Sequence, residues 1–137
     1  MNNTTNASTS VLIIDDDEFS LAILSNMLNS YGITDISKVE DGVSGIKALN
    51  SSVILPDFII CDIFMPNMDG IELIGILTKQ HYTGRIILMS GGNFDILQVA
   101  EEIATLKGLN IIATFVKPIQ RHLLADAMQL TVSTNFG

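Results

Sequence analysis

Residues 57–70 read Asp57-Phe58-Ile59-Ile60-Cys61-Asp62-Ile63-Phe64-Met65-Pro66-Asn67-Met68-Asp69-Gly70. The unbroken apolar run from Phe58 to Cys61 is typical of a parallel strand covered on both faces, and Asp62 comes where such a strand leaves the sheet. Pro66 cannot continue a strand ladder and Asp69-Gly70 is a turn pair, so the following loop is short. The segment predicts a carboxylate held at the carboxyl end of a buried strand, where ligands bind in open α/β sheets. Taken alone, it also fits a polar strand end followed by a turn.

Three further apolar runs end in polar groups. Val11–Ile14 precedes Asp15-Asp16-Asp17-Glu18, Ile86–Met89 precedes Ser90-Gly91-Gly92, and Ile111–Val116 precedes Lys117-Pro118. Because the carboxyl ends of parallel strands meet at one edge of a sheet, we expect an acid pair, a single acid, a hydroxyl and a lysine along that edge.

The apolar runs alternate with segments of helical periodicity. Five strands and five helices joined by short loops predict an α/β fold with a doubly wound, five-stranded parallel sheet, for which we expect the flavodoxin-like order 2-1-3-4-5. Phe19, Ala22, Ile23, Met27 and Tyr31 recur at helical spacing and predict the first helix, with Gly32 as a left-handed cap. The last helix, residues 119–130, is expected to turn Leu123, Leu124, Ala127 and Met128 inward.

Length and charge limit the functional classes. A chain of 137 residues suits one domain, and we place it at residues 11–130, between a disordered leader (1–10) and a tail or linker start (131–137). With net charge −8 and only seven Lys and Arg, the domain is not expected to bind nucleic acid or an anionic membrane. No stretch resembles a membrane span or signal peptide, so we expect a cytoplasmic location. The single cysteine, Cys61, is expected in the core.

The four strand ends, taken in order, resemble the receiver domain of two-component response regulators. The matching residues are the acid pair Asp15-Asp16, Asp62 with the following Met65–Gly70 segment, Ser90-Gly91, and Lys117-Pro118. The resemblance extends from about Val11 to Leu130.

Three carboxylates at one edge repel one another, which favours a bound cation or raised pKa values, and a hard divalent ion such as Mg²⁺ fits oxygen ligands. The resemblance implies that Asp16 and Asp62 bind Mg²⁺ directly, Asp15 directly or through water, and Phe64 through its backbone carbonyl oxygen. The acid run also fits a helix N-terminus, which is the better interpretation for Asp17 and Glu18.

The same resemblance implies a phosphoryl transfer. A histidine kinase or histidine phosphotransfer protein would donate the group, and Asp62 would accept it as an acyl phosphate. Lys117 and Ser90 would contact phosphoryl oxygens. The chain would then act as a signalling module rather than an enzyme.

The resemblance further implies a conformational output on the face formed by the fourth helix, fifth strand and fifth helix, where an effector or a second copy would dock. The aromatic switch position of the family is Thr114 here, and Phe115 should point to the opposite side of its strand. We therefore expect signalling through Ser90 and the loop Gly91-Gly92-Asn93, whose glycines allow a large change of the backbone.

Two positions bear on phosphoryl lifetime. Phe64 and Gly92 stand where some receivers carry polar groups that position the hydrolytic water. Neither side chain can do so, which predicts slow self-dephosphorylation.

Two other functions remain open from the residues alone. Asp15-x-Asp17 fits the opening motif of a haloacid-dehalogenase-type phosphatase, although the later acidic motif and a cap domain have no counterpart in the sequence. A receiver-like interaction module that works without phosphorylation is the other alternative.

Overall fold

The computed structural model describes residues 8–65, 70–92 and 94–130, in which five strands alternate with five helices. The strands are β1 (Ser10–Ile14), β2 (Asp35–Val39), β3 (Phe58–Asp62), β4 (Arg85–Ser90) and β5 (Asn110–Val116); the helices are α1 (Glu18–Ser30), α2 (Gly42–Ser51), α3 (Gly70–Lys79), α4 (Phe94–Leu106) and α5 (Arg121–Met128). The first strand begins one residue earlier than expected, at Ser10. The rest of the predicted leader up to residue 7, the predicted turn at 66–69, Asn93 of the predicted signalling loop and the predicted tail at 131–137 lie outside the described residues.

All neighbouring strands are parallel, and the sheet order is β2-β1-β3-β4-β5. The predicted doubly wound fold is therefore confirmed. The central strand β3 is buried along its whole length, as its apolar run indicates. Because every strand runs in the same direction, the residues that follow β1, β3, β4 and β5 all emerge at one edge.

Two apolar layers cover the sheet, one on each face. Leu12, Ile59 and Cys61 point toward α2, α3 and α4, whereas Ile13 and Ile60 point toward α1 and α5. Successive side chains of a strand alternate between faces, so each apolar run supplies both layers. Cys61 is a free, buried cysteine in the first of these layers, as expected.

The predicted first helix is confirmed as α1, but the residues that it buries are not the ones that indicated it. The helix buries Leu21, Leu24 and Leu28, while Phe19 is 72% exposed and Ile23 is 37% exposed. Both sets of residues recur at helical spacing, so the sequence pattern alone does not choose between them. Packing against the β1 and β3 side chains of that face selects the leucines.

The predicted inward face of α5 is wrong at Leu123, which is 41% exposed, because α5 buries Ala125 together with Leu124 and Met128. The helix is also shorter than expected at both ends. Gly32, by contrast, has φ 89° just after Tyr31, the C-cap of α1, as predicted for a left-handed cap.

Within the described residues, no helix is both long enough and apolar enough to cross a membrane.

Candidate functional site

Asp15 lies immediately after β1 and is fully buried. Its backbone N–H donates to the Val39 carbonyl at 3.1 Å, which extends the pairing of β1 with β2 past the last strand residue. Its Oδ1 accepts the backbone N–H of Asp17 at 2.9 Å. The carboxylate is thus held from the turn that leads into α1.

Asp62 is the last residue of β3 and is also buried. Its Oδ1 accepts the Phe64 backbone N–H at 2.9 Å, and its Oδ2 accepts a hydrogen bond from Lys117 Nζ at 2.9 Å. Burial raises the pKa of Asp62, although the Phe64 N–H and the Lys117 ammonium favour the charged form; the nearby Asp15 adds to the rise.

Lys117 follows β5 and joins the two buried acids. Its Nζ is 2.7 Å from Asp15 Oδ2 and 2.9 Å from Asp62 Oδ2. Burial alone would lower the pKa of Lys117, but the two carboxylates outweigh it and raise that pKa. The contact with Asp15 is an ion pair by distance, yet Asp15 Oδ2 accepts no well-oriented hydrogen bond within the described part of the chain.

The acid cluster, defined as Asp15, Asp16 and Asp62, has the composition of a divalent cation site. One carboxylate oxygen from each residue lies within 4.8 Å of the others, with Asp16 exposed to solvent and the other two buried. An imperfectly satisfied buried oxygen on Asp15 and three hard oxygen donors fit Mg²⁺ better than a soft metal. The residues expected from the sequence are therefore close enough to share one ion.

Ser90 ends β4 and is buried at the same edge. Its carbonyl accepts the Lys117 backbone N–H at 2.8 Å, and its Oγ accepts the Gly92 N–H at 3.4 Å. A Cβ added to Gly91 or Gly92 would meet no described atom within 4 Å, so both positions have space for a side chain.

The three remaining expected positions lie around this edge. Phe64 is two residues past Asp62 and about half exposed. Thr114 pairs with Leu88, on the face covered by α2 to α4, whereas Phe115 packs in the opposite layer with α1 and α5. The prediction that Phe115 points away from the Thr114 side is confirmed.

One feature of the site was not anticipated from the sequence. An apolar groove of about 160 Å³ lies beside Lys117, between α1 and the segment after β5, and Phe19, Ile23 and Pro118 help to line it. The groove depends on the orientation of α1, which the spacing of its apolar residues does not fix. The interpretation of Asp17 as a helix N-terminal residue is confirmed, because Asp17 is the N-cap of α1.

Comparison with known proteins identifies the class. Residues 11–129 match the response regulator receiver domain family. The chain belongs to this family of two-component signalling domains.

Curated relatives agree with this assignment. The chain is 30% identical over 82 residues to the DNA-binding transcriptional activator EvgA of Escherichia coli K12, covering 60% of this chain and 39% of EvgA. It is 32% identical over 83 residues to a protein-glutamate methylesterase/protein-glutamine glutaminase of Natronomonas pharaonis, which covers 61% of this chain and 23% of that protein. The chain thus spans well under half of each of these relatives.

Solved structures agree with the fold. A response regulator from Colwellia psychrerythraea superposes with TM-score 0.74 at 32% identity, covering 88% of this chain and 94% of that one. A chain of the CheX-CheY-BeF3-Mg²⁺ complex from Borrelia burgdorferi superposes with TM-score 0.78 at 25% identity, covering 94% of this chain and 92% of that one.

Proposed function

We propose that this chain is a cytoplasmic phosphoacceptor receiver domain in which Asp62 takes a phosphoryl group from the histidine of a histidine kinase or histidine phosphotransfer protein. One observation carries the proposal: Asp62 ends the central strand within reach of two further acids and a lysine. This is the arrangement that a carboxylate nucleophile needs, since a nearby cation and charged donors must offset the negative charge of both reactants.

The acid cluster is proposed to hold Mg²⁺ through Asp15, Asp16 and Asp62, with the Phe64 carbonyl oxygen as a further ligand. When bound, the ion would supply positive charge to the carboxylates and to the phosphoryl oxygens. A related structure at 25% identity contains Mg²⁺ in its complex, which supports this assignment by analogy.

In the proposed transfer, a carboxylate oxygen of Asp62 forms a bond to phosphorus while the bond from phosphorus to the donor imidazole nitrogen breaks. The nitrogen keeps the electron pair, and Asp62 becomes an acyl phosphate. Lys117 Nζ contacts Asp62 Oδ2 at 2.9 Å, and after the transfer it would donate a hydrogen bond to a phosphoryl oxygen instead. The Ser90 hydroxyl would bind another oxygen after a movement of the Gly91-Gly92 segment.

The apolar groove beside Lys117 is the proposed docking surface of the phosphodonor. A donor histidine must reach Asp62, which Lys117 contacts. The groove places the exposed side chains of Phe19 and Ile23 next to Lys117. An exposed apolar surface of this kind is typical of a protein interface.

The proposed output surface is the face of α4, β5 and α5, where a downstream effector or a second copy of the chain would dock. Phe94, Val99, Val116 and Leu123 are exposed apolar side chains of these three elements. We expect the bound phosphoryl group to act on this face through Ser90. The aromatic side chain that rotates at this position in other receivers is replaced here by Thr114.

The test is the intact mass of the protein after incubation with a small phosphodonor, with and without Mg²⁺. Wild type is expected to gain one phosphoryl group only when Mg²⁺ is present, and Asp62→Asn is expected to gain none. Asp57→Asn is the matched control, because Asp57 lies at the other end of β3 and accepts hydrogen bonds from Ser10. An adduct on Asp62→Asn, or no adduct on wild type, would refute the assignment.

The same samples report the phosphoryl lifetime. With an apolar Phe64 and no side chain on Gly92 to orient water, the adduct should decay slowly once donor and Mg²⁺ are removed. Phe64→Asn and Phe64→Glu should shorten its lifetime.

A further inference from the structure

A chain of hydrogen bonds links the acid cluster to the first turn of α1. The Asp17 backbone N–H donates to Asp15 Oδ1 at 2.9 Å. The Asp17 side chain in turn accepts the Phe19 backbone N–H at Oδ1, at 3.0 Å, and the Ser20 hydroxyl at Oδ2, at 3.2 Å. Both carboxylate oxygens of Asp17 are therefore used inside the helix cap, and Asp17 is not a member of the acid cluster.

We propose that Asp17 is a positioning residue for the cation site. Its side chain fixes the turn between β1 and α1, and that turn directs the Asp17 N–H at one oxygen of Asp15. A carboxylate anchored in this way loses less conformational freedom when a cation binds, in the same manner as ligands held by outer hydrogen bonds in metal sites. The inference rests on the proposed function, because it assumes that Asp15 helps to hold a divalent cation.

A simpler account must be separated from this one. Asp17 is an exposed acid near the acid cluster, so its negative charge alone could attract a cation. Asp17→Asn and Asp17→Ala both remove the charge, but only the alanine variant lacks an oxygen that can accept the Phe19 N–H. The difference between these two variants isolates the cap.

The experiment measures the Mg²⁺ dissociation constant of the unphosphorylated chain by isothermal titration calorimetry at fixed ionic strength. We expect Asp17→Ala to bind Mg²⁺ about tenfold more weakly than Asp17→Asn, the lower end of the range for groups that orient a metal ligand, because the N–H that contacts Asp15 remains but its turn is no longer fixed by the cap. Asp17→Ser, which also keeps an acceptor oxygen, should resemble Asp17→Asn. Ser20→Ala removes one of the two cap bonds and should have a smaller effect.

Asp41→Ala provides the matched control. Asp41 is the N-cap of α2 and accepts the Ser44 N–H at 2.7 Å, but it is not part of the acid cluster. Its loss should lower the melting temperature about as much as Asp17→Ala does while leaving the Mg²⁺ affinity at the wild-type value. A general loss of stability would affect the two alanine variants alike.

Equal affinities for Asp17→Ala and Asp17→Asn would overturn the proposal in favour of charge alone. Wild-type affinity in Asp17→Ala would overturn it while leaving the cation site itself intact. Absence of Mg²⁺ binding by wild type would overturn the proposed function and the positioning role together. If Asp17→Ala does not fold, Asp17→Gly replaces it, because glycine lacks the acceptor oxygen but is tolerated at a helix N-cap.

Discussion

Lys117→Met tests the electrostatic balance at the carboxyl edge of the sheet. The substitution keeps an unbranched side chain but removes the ammonium group that lies 2.7 Å from Asp15 and 2.9 Å from Asp62. Both acids are buried, so the variant leaves two carboxylates close together without their cation. We expect the folded state to be substantially destabilised at neutral pH without divalent ions.

The magnitude follows from burial. Removing one partner of a buried ion pair costs about 3–5 kcal/mol, because the remaining charge is uncompensated. The Lys117 side chain is 20% exposed, so water compensates in part and the lower end, about 3 kcal/mol, is the better value. This corresponds to a melting temperature roughly 10 °C lower, or to a urea midpoint lowered by about 1–3 M.

The assay is urea unfolding in a chelating buffer and again with excess Mg²⁺. If the acid cluster holds the ion, Mg²⁺ should narrow the gap between Lys117→Met and wild type, because the ion replaces part of the missing positive charge. The double variant Lys117→Met with Asp62→Asn should recover stability relative to Lys117→Met alone, since one of the buried charges is gone.

Lys107→Met is the control for removing a lysine as such. Lys107 is exposed after α4, and its loss should change the free energy of unfolding by less than about 0.5 kcal/mol. Equal urea midpoints for Lys117→Met and wild type in chelating buffer would refute the reasoning. The reasoning would also be refuted if Mg²⁺ left the difference in urea midpoint between Lys117→Met and wild type unchanged.

Two further predictions concern the same edge. Burial raises the pKa of Asp62 above its ordinary value of 3.8, so its ionisation destabilises the folded state as pH rises through the folded pKa. Asp62→Asn should therefore be more stable than wild type at neutral pH without divalent ions, and the difference should vanish by about pH 3.8; a difference in urea midpoint that stays constant with pH would contradict this. A Cβ on Gly70 would lie 2.6 Å from the Ile63 Cα, so Gly70→Ala should lower the free energy of unfolding by about 1–3 kcal/mol. The same substitution should slow the phosphorylation of Asp62. The control is Gly75→Ala in the same helix, where an added Cβ would meet no described atom within 4 Å, and it should raise the free energy of unfolding by about 0.5–1 kcal/mol. Similar denaturation midpoints for the two variants would show that the contact with Ile63 does not matter.

The strand-end residues could be predicted because their signal is local. An apolar run marks each buried strand, and the first polar residue after it marks the edge, so Asp15, Asp62 and Lys117 follow from reading four short segments in order. Parallel strand direction then brings their ends together without any knowledge of side-chain packing.

The orientation of the helices could not be predicted in the same way. In α1 the apolar residues cover more than one face, so the stripe through Phe19 and Ile23 and the stripe through Leu21, Leu24 and Leu28 both have helical spacing. Which stripe turns inward depends on the direction in which the chain leaves β1 and on the side chains it meets there.

The sequence by itself therefore determined the fold class and the edge at which the acids and the lysine would meet, because these depend on periodicities and on chain direction, while the strand order followed from the resemblance to receiver domains. Only the tertiary structure decided which face of α1 is exposed, that Lys117 contacts both Asp15 and Asp62, and that the backbone N–H of Asp17 holds Asp15. These features are distances between atoms, and distances follow from packing the two layers against the sheet rather than from the order of residues along the chain.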